Sequence, residues 1–104
     1  MVLEISDNEF DKTIEENNIV IVDFWAPWCG PCQMMAPIFE ELSKKHEDWT
    51  FVKLNVDENN EKPSQYSVSG IPTFIIFKGG ETVKRIVGAR PLESIEREIE
   101  DVVE

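Results

Sequence analysis

Basic residues are scarce in this chain. Ten Lys and Arg stand against 21 Asp and Glu, a formal net charge of −11. Such a surface repels phosphate backbones and anionic headgroups, which argues against nucleic acid and an anionic membrane as partners. There is no apolar run near the roughly 18 residues of a membrane span. Met1 to Phe10 shows no basic region followed by an apolar core, so no secretory signal is read there. Gly-rich nucleotide loops, internal repeats and low-complexity linkers are all missing, so no bound nucleotide cofactor is expected. Only one histidine, His46, and two cysteines are present. A tetrahedral zinc site wants four ligands, so a metal-binding module would need a second copy of the chain to complete it. Two closely spaced cysteines without a signal suit a reducing cytoplasm.

What remains is enough for one domain, residues 1–104, with 41% hydrophobic and 30% charged residues. Its two cysteines sit in Trp25-Ala26-Pro27-Trp28-Cys29-Gly30-Pro31-Cys32. An apolar run, Ile19 to Phe24, leads into this stretch, and a helical pattern, Met34 to Leu42, leaves it. Helix positions i and i+3 share a face with Cβ atoms about 5–6 Å apart, and a disulfide needs about 3.5–4.5 Å. A small adjustment in the first helical turn can therefore make or break the bond. A loop of about four residues gains roughly 2 kcal/mol from closure, against about 4.7 for a loop of 100. The bond is a poor staple and reads as one meant for exchange. Free N–H groups and the dipole at a helix start favour a thiolate on Cys29, the cap or first-turn cysteine.

Along the chain, Val2 to Ile5 reads as an edge strand, and Ser6 with Glu9 as a capping box that opens a helix from about Asp7 to Glu16. Ile19 to Trp25 is apolar on both faces, hence a buried central strand. Asp23 lies inside it, flanked on its own face by Ile21 and Trp25. Desolvation should raise its pKa, so that it can take and return a proton near neutrality. Met35, Ile38, Phe39 and Leu42 form the core face of the next helix, which Pro37 should kink. His46, beside Lys44 and Lys45 near the helix end, is read as a surface residue. Thr50 to Val56 is a third strand; Asp57 to Tyr66 is a short helix or a turn-rich connection. Phe74 to Phe77 and Glu81 to Val87 are two further strands, joined by the hairpin signal Gly79-Gly80. Leu92, Ile95, Ile99, Val102 and Val103 line a final helix with Pro91 in its first turn.

Several of these stretches, in this order and spacing, resemble the thioredoxin family. They are Val22-Asp23-Phe24-Trp25-Ala26, Trp28-Cys29-Gly30-Pro31-Cys32, Ala36-Pro37, Lys53-Leu54-Asn55-Val56-Asp57, Gly70-Ile71-Pro72-Thr73, Phe77-Lys78-Gly79-Gly80-Glu81 and Val87-Gly88-Ala89. The resemblance spans nearly the whole chain. It implies an α/β fold: a central mixed five-stranded sheet flanked by about four helices on both faces. It also implies a redox-active pair in which Cys29 attacks and Cys32 resolves, with Gly30 and Pro31 setting the loop geometry. Asp23 would lie beneath Cys32 and assist its deprotonation, with Lys53 nearby to modulate its charge. Pro72 would be cis and face the disulfide, and Ile71 would offer its backbone to an extended substrate. Trp28, Ile71, Pro72, Gly88 and Ala89 would form an apolar docking rim beside an exposed thiol. Gln33 departs from the basic residue common at its place in the family.

The function implied is reduction of disulfides in target proteins, by a monomer that binds no cofactor and is recycled by a separate, flavin-dependent thioredoxin reductase. A disulfide oxidase or isomerase of the same fold, and an interaction module using the apolar rim, are the alternatives.

Overall fold

The run from Ile19 to Trp25 decides the architecture, because both of its faces are covered. Val20, Val22 and Phe24 point to one side and Ile21 and Asp23 to the other, all buried. The structure, a computed structural model, describes all 104 residues, Met1–Glu104. In chain order its elements are β1 (Val2–Glu4), α1 (Asp7–Glu16), β2 (Ile19–Trp25), α2 (Gly30–Lys45), β3 (Thr50–Asn55), α3 (Glu61–Gln65), β4 (Thr73–Lys78), β5 (Glu81–Val87) and α4 (Leu92–Val103). The sheet order is β1-β3-β2-β4-β5. Strands β1, β3 and β2 are parallel, whereas β4 is antiparallel to β2 and β5 to β4. The mixed five-stranded sheet with four helices is the expected fold class.

Two cores follow from the strand alternation. On one face α2 and α4 bury Met35, Phe39, Leu42, Ile95, Ile99 and Val103 against Ile21, Phe51, Phe74 and Ile86. On the other, Phe10 and Ile14 of α1 meet Val20, Val22, Phe24 and Phe77. Each fully buried side chain of this size contributes roughly 1.5–3 kcal/mol. The helix α1 starts where the Ser6 N–H donates to the Glu9 carboxylate at 2.9 Å, one half of the expected capping box. Gly79 and Gly80 take φ of 61° and 84°, the left-handed pair that a tight hairpin needs. Pro91 proves to be the N-cap of α4 rather than a first-turn residue.

The connection after β3 contains α3, which owes its start to a distant residue. The Asp7 carboxylate accepts the N–H groups of Glu61 at 3.1 Å and Lys62 at 2.9 Å. Lys62, itself buried, pairs with Asp11 at 2.9 Å and ties α3 to α1.

Candidate active site

Strand β2 ends at Trp25, and the chain folds over itself before α2 begins. The Cys29 N–H closes this turn on the Ala26 carbonyl at 3.2 Å. Cys29 is the N-cap of α2, with extended backbone, and its sulfur accepts the Cys32 N–H at 3.2 Å. Pro31 lies in the first turn, where a missing N–H leaves no carbonyl unpaired. Cys29 and Cys32 are joined as a disulfide, with Cα atoms 5.2 Å apart. Only one of the two sulfurs therefore receives both a backbone donor and the positive end of the helix, and that is Cys29. A negative charge is better held there than on Cys32.

The expectation of an exposed outer thiol does not hold in this disulfide form. Cys29 is 5% exposed and Cys32 4%, a difference too small to tell them apart. The cause is packing: each sulfur covers the other, and Ala26, Trp25, Val56 and Ile71 close around the pair. The sulfurs differ in what they meet. Cys29 Sγ lies 3.8 Å from the Ile71 carbonyl oxygen, whereas Cys32 lines a cavity on the sheet side of the helix.

Around Cys29, the Ile71–Pro72 bond is cis. The Gly88 N–H donates to the Pro72 carbonyl at 2.8 Å, which brings the start of the β5–α4 connection against this loop. Ile71 and Gly88 are half-buried and Ala89 exposed, but Pro72 is buried, an inner wall rather than part of the open rim. Trp28 is 69% exposed, so it is no core aromatic. Its indole N–H donates to the Asp57 carboxylate at 3.1 Å, which fixes the ring's orientation. Gln33 donates to the Pro27 carbonyl at 2.8 Å and so braces the loop before Cys29.

Beneath the disulfide lies a cavity of about 170 Å³ lined by Asp23, Cys32, Gln33, Glu40 and Lys53 together with apolar side chains. It is large enough to admit water. Asp23 is 4% exposed, and its Oδ1 has no hydrogen-bond partner. Burial pushes its carboxyl up to about 7; the Lys53 charge pulls it down and Glu4 pushes it further up. Lys53 is the residue opposite Asp23 in the β2–β3 register. A buried, unsatisfied carboxyl that titrates near neutrality is costly for folding, and it is the kind of group that moves protons.

His46 is not a free surface residue. It caps the C-terminal end of α2, about 20 Å along the helix from Cys32 by the helical rise. Its ring stacks on Trp49 at 3.8 Å, and its Nε2 lies 2.7 Å from Glu96 of α4. Lys45 reaches the same carboxylate at 3.0 Å. Two residues outside the expected set do belong to the site: Asp57, which orients Trp28, and Glu4, whose carboxylate accepts the Trp25 indole N–H at 3.1 Å. Asp57 lies inside a quoted motif, but its partner is visible only in space. For Glu4 the signal was the opposite charge of Lys53, and the strand register was needed to read it.

A sulfur pair that one helical turn can close, with a donor aimed at one member and a buried carboxyl of raised pKa below the other, is suited to passing electron pairs between thiols and disulfides. These features define a dithiol–disulfide oxidoreductase. The Thioredoxin family model matches residues 1–101. A thioredoxin of Alicyclobacillus acidocaldarius is 48% identical over 103 residues, covering 98% of both chains. A thioredoxin of Synechocystis is 46% identical over 99 residues, 93% of this chain and 92% of its own. A bifunctional thioredoxin reductase/thioredoxin of Mycobacterium leprae is 45% identical over 99% of this chain, which corresponds to 23% of that protein. Among solved structures, a mutant thioredoxin from Halobacterium salinarum superposes with a TM-score of 0.92 at 38% identity, covering 99% of this chain and 91% of that one. The chain belongs to the thioredoxin family and acts as a protein-disulfide reductase through its Cys-Gly-Pro-Cys pair.

Proposed function

We propose that Cys29 is the nucleophile, Cys32 the resolving thiol and Asp23 the proton acceptor for Cys32. In the reduced protein the Cys29 thiolate attacks one sulfur of a target disulfide, forms a mixed disulfide and releases the first target thiolate. Cys32 then passes its proton to the Asp23 carboxylate and attacks Cys29. The Cys29–Cys32 bond forms, the second target thiolate leaves, and two electrons have passed to the target. Lys53 modulates the charge of Asp23, and Gly30 and Pro31 set the geometry of the loop.

Trp28, Ile71, Gly88 and Ala89 form the docking surface, with Pro72 as the wall behind it. The Ile71 backbone pairs with an extended target segment. The chain works as a single domain and a monomer in the cytoplasm, without a bound cofactor of its own. It is re-reduced by a separate thioredoxin reductase, a partner to which the fused Mycobacterium leprae relative points.

The observation that carries the assignment of roles is the Cys32 N–H donated to Cys29 Sγ at 3.2 Å. It stabilises a thiolate at Cys29 and offers nothing equivalent to Cys32. Incubation with a protein disulfide separates the roles. Cys32→Ser should accumulate a covalent adduct through Cys29, visible by mass spectrometry under non-reducing conditions, and Cys29→Ser should form none. Adduct formation by Cys29→Ser would reverse the assignment.

A further inference from the structure

The β1–β3 and β3–β2 registers place three charges in one row across the sheet: Glu4 opposite Lys53, and Lys53 opposite Asp23. Parallel strands in register send these side chains to the same face, the one covered by α2. Lys53 lies between two carboxylates yet forms an ion pair with neither. Its Nζ instead sits over the Trp25 ring, 4.8 Å from the centroid. The same indole donates its N–H to Glu4 at 3.1 Å. A carboxylate on the ring's N–H edge makes the ring face more negative, and so a better seat for a cation.

We propose that Glu4 is a positioning residue of the exchange site: by holding the Trp25 indole it keeps the Lys53 ammonium on that ring and off the Asp23 carboxyl. The inference rests on the proton role given to Asp23 above. Two effects act in the same direction. The charge of Glu4 disfavours ionisation of Asp23 through space. The parked lysine acts on Asp23 only through space, and the direct ion pair that would favour ionisation further is withheld. The remaining titratable group on this cavity, Glu40, comes from α2; Cys32, also from α2, is held in the disulfide and does not titrate in the oxidised protein. Glu4 itself is exposed, so replacing it leaves the core intact.

The test is a carbon-detected NMR titration of the Asp23 carboxyl in the oxidised protein. Two strand spacings separate Glu4 from Asp23 by about 9.6 Å. Across that gap, an effective dielectric between bulk water and about 20 gives a downward shift of about 0.3 to 1.3 pH units in Glu4→Gln from the lost charge alone, and release of Lys53 toward Asp23 adds to it. Trp25→Phe, which keeps a ring but loses its N–H, should shift the midpoint in the same direction. In a Lys53→Met background the Glu4→Gln shift should shrink. An unchanged or raised midpoint in Glu4→Gln overturns the proposal, as does a shift of the same size without Lys53. A loss of stability that leaves the Asp23 midpoint in place makes Glu4 a structural residue only. The proton role of Asp23 is tested separately, by the pH profile of disulfide reduction in Asp23→Asn. A profile equal to the wild type removes that role, whereas the NMR midpoint still decides on Glu4.

Discussion

Replacing Asp23 by Asn should make the protein more stable in alkaline solution and not in acid. In the folded chain burial raises this carboxyl from an ordinary 3.8 to about 7. Between those values the folded state holds a proton that the unfolded state has released. Stability therefore falls as pH rises from about 4 to about 7, then levels off once both states are ionised. The shift is about 3 units, and at 1.36 kcal/mol per unit the ionised carboxylate costs about 4 kcal/mol. Against a total stability of about 5–15 kcal/mol this is a large fraction.

Asparagine is neutral throughout, so the mutant lacks this slope. Its amide also brings two donors into a cavity where Oδ1 already lacks a partner, which adds a pH-independent penalty of about 1–3 kcal/mol. The slope, not the offset, carries the prediction. Denaturant unfolding of both oxidised proteins, from about pH 4 to about pH 8, should show the mutant gaining about 4 kcal/mol on the wild type across the window. Other titrating groups are common to both chains and cancel. Parallel curves would refute the argument, because they would mean that Asp23 is ionised in the fold at no cost. The same energy underlies the role proposed for Asp23, because a carboxyl poised near neutrality is able to accept a proton and give it back.

Further outcomes follow from two other contacts. Glu96 is held below its ordinary carboxylate range by its bonds to His46 and Lys45. Its stabilisation is present above the unfolded value of 4.5 and is lost as pH falls through the folded value. Glu96→Gln should then be less stable than wild type at neutral pH, with the gap closing in acid; equal thermal midpoints at neutral pH would contradict this. Trp28→Ala removes an exposed ring that Asp57 holds in place. It should raise KM for a protein disulfide by about tenfold, in line with the loss of one aromatic anchor, while reduction of a small aromatic disulfide changes little. An equal effect on both substrates would make the ring part of the exchange chemistry rather than the docking surface.

Local rules were enough wherever the partner lay nearby in sequence. The bounds of α1, its Glu9 cap, the glycine pair of the hairpin and the position of Cys29 as a helix cap each depend on residues within one turn. The doubly covered β2 could also be read, since a strand apolar on both faces has few places to go. Partnerships made across space were hidden. The α3 start depends on Asp7, 54 and 55 residues from the N–H groups it accepts. His46 reads as a surface residue beside two lysines until α4 brings Glu96 to it, and the ring then stacks on Trp49.

The site divides along the same line. Cys29, Cys32 and Asp23 stand out because their chemistry is unusual for their positions, whereas Glu4 is one acid among 21 Asp and Glu. What sets it apart is the pairing register, which places it one strand beyond Lys53 and two beyond Asp23. A charge pattern along a sequence shows which groups are present. Which of them a buried carboxyl feels depends on the sheet, and here the three parallel strands line up the only row in which an outer acid, a lysine and an inner acid share one face. The tuning of Asp23 is therefore a property of the strand order as much as of the residue.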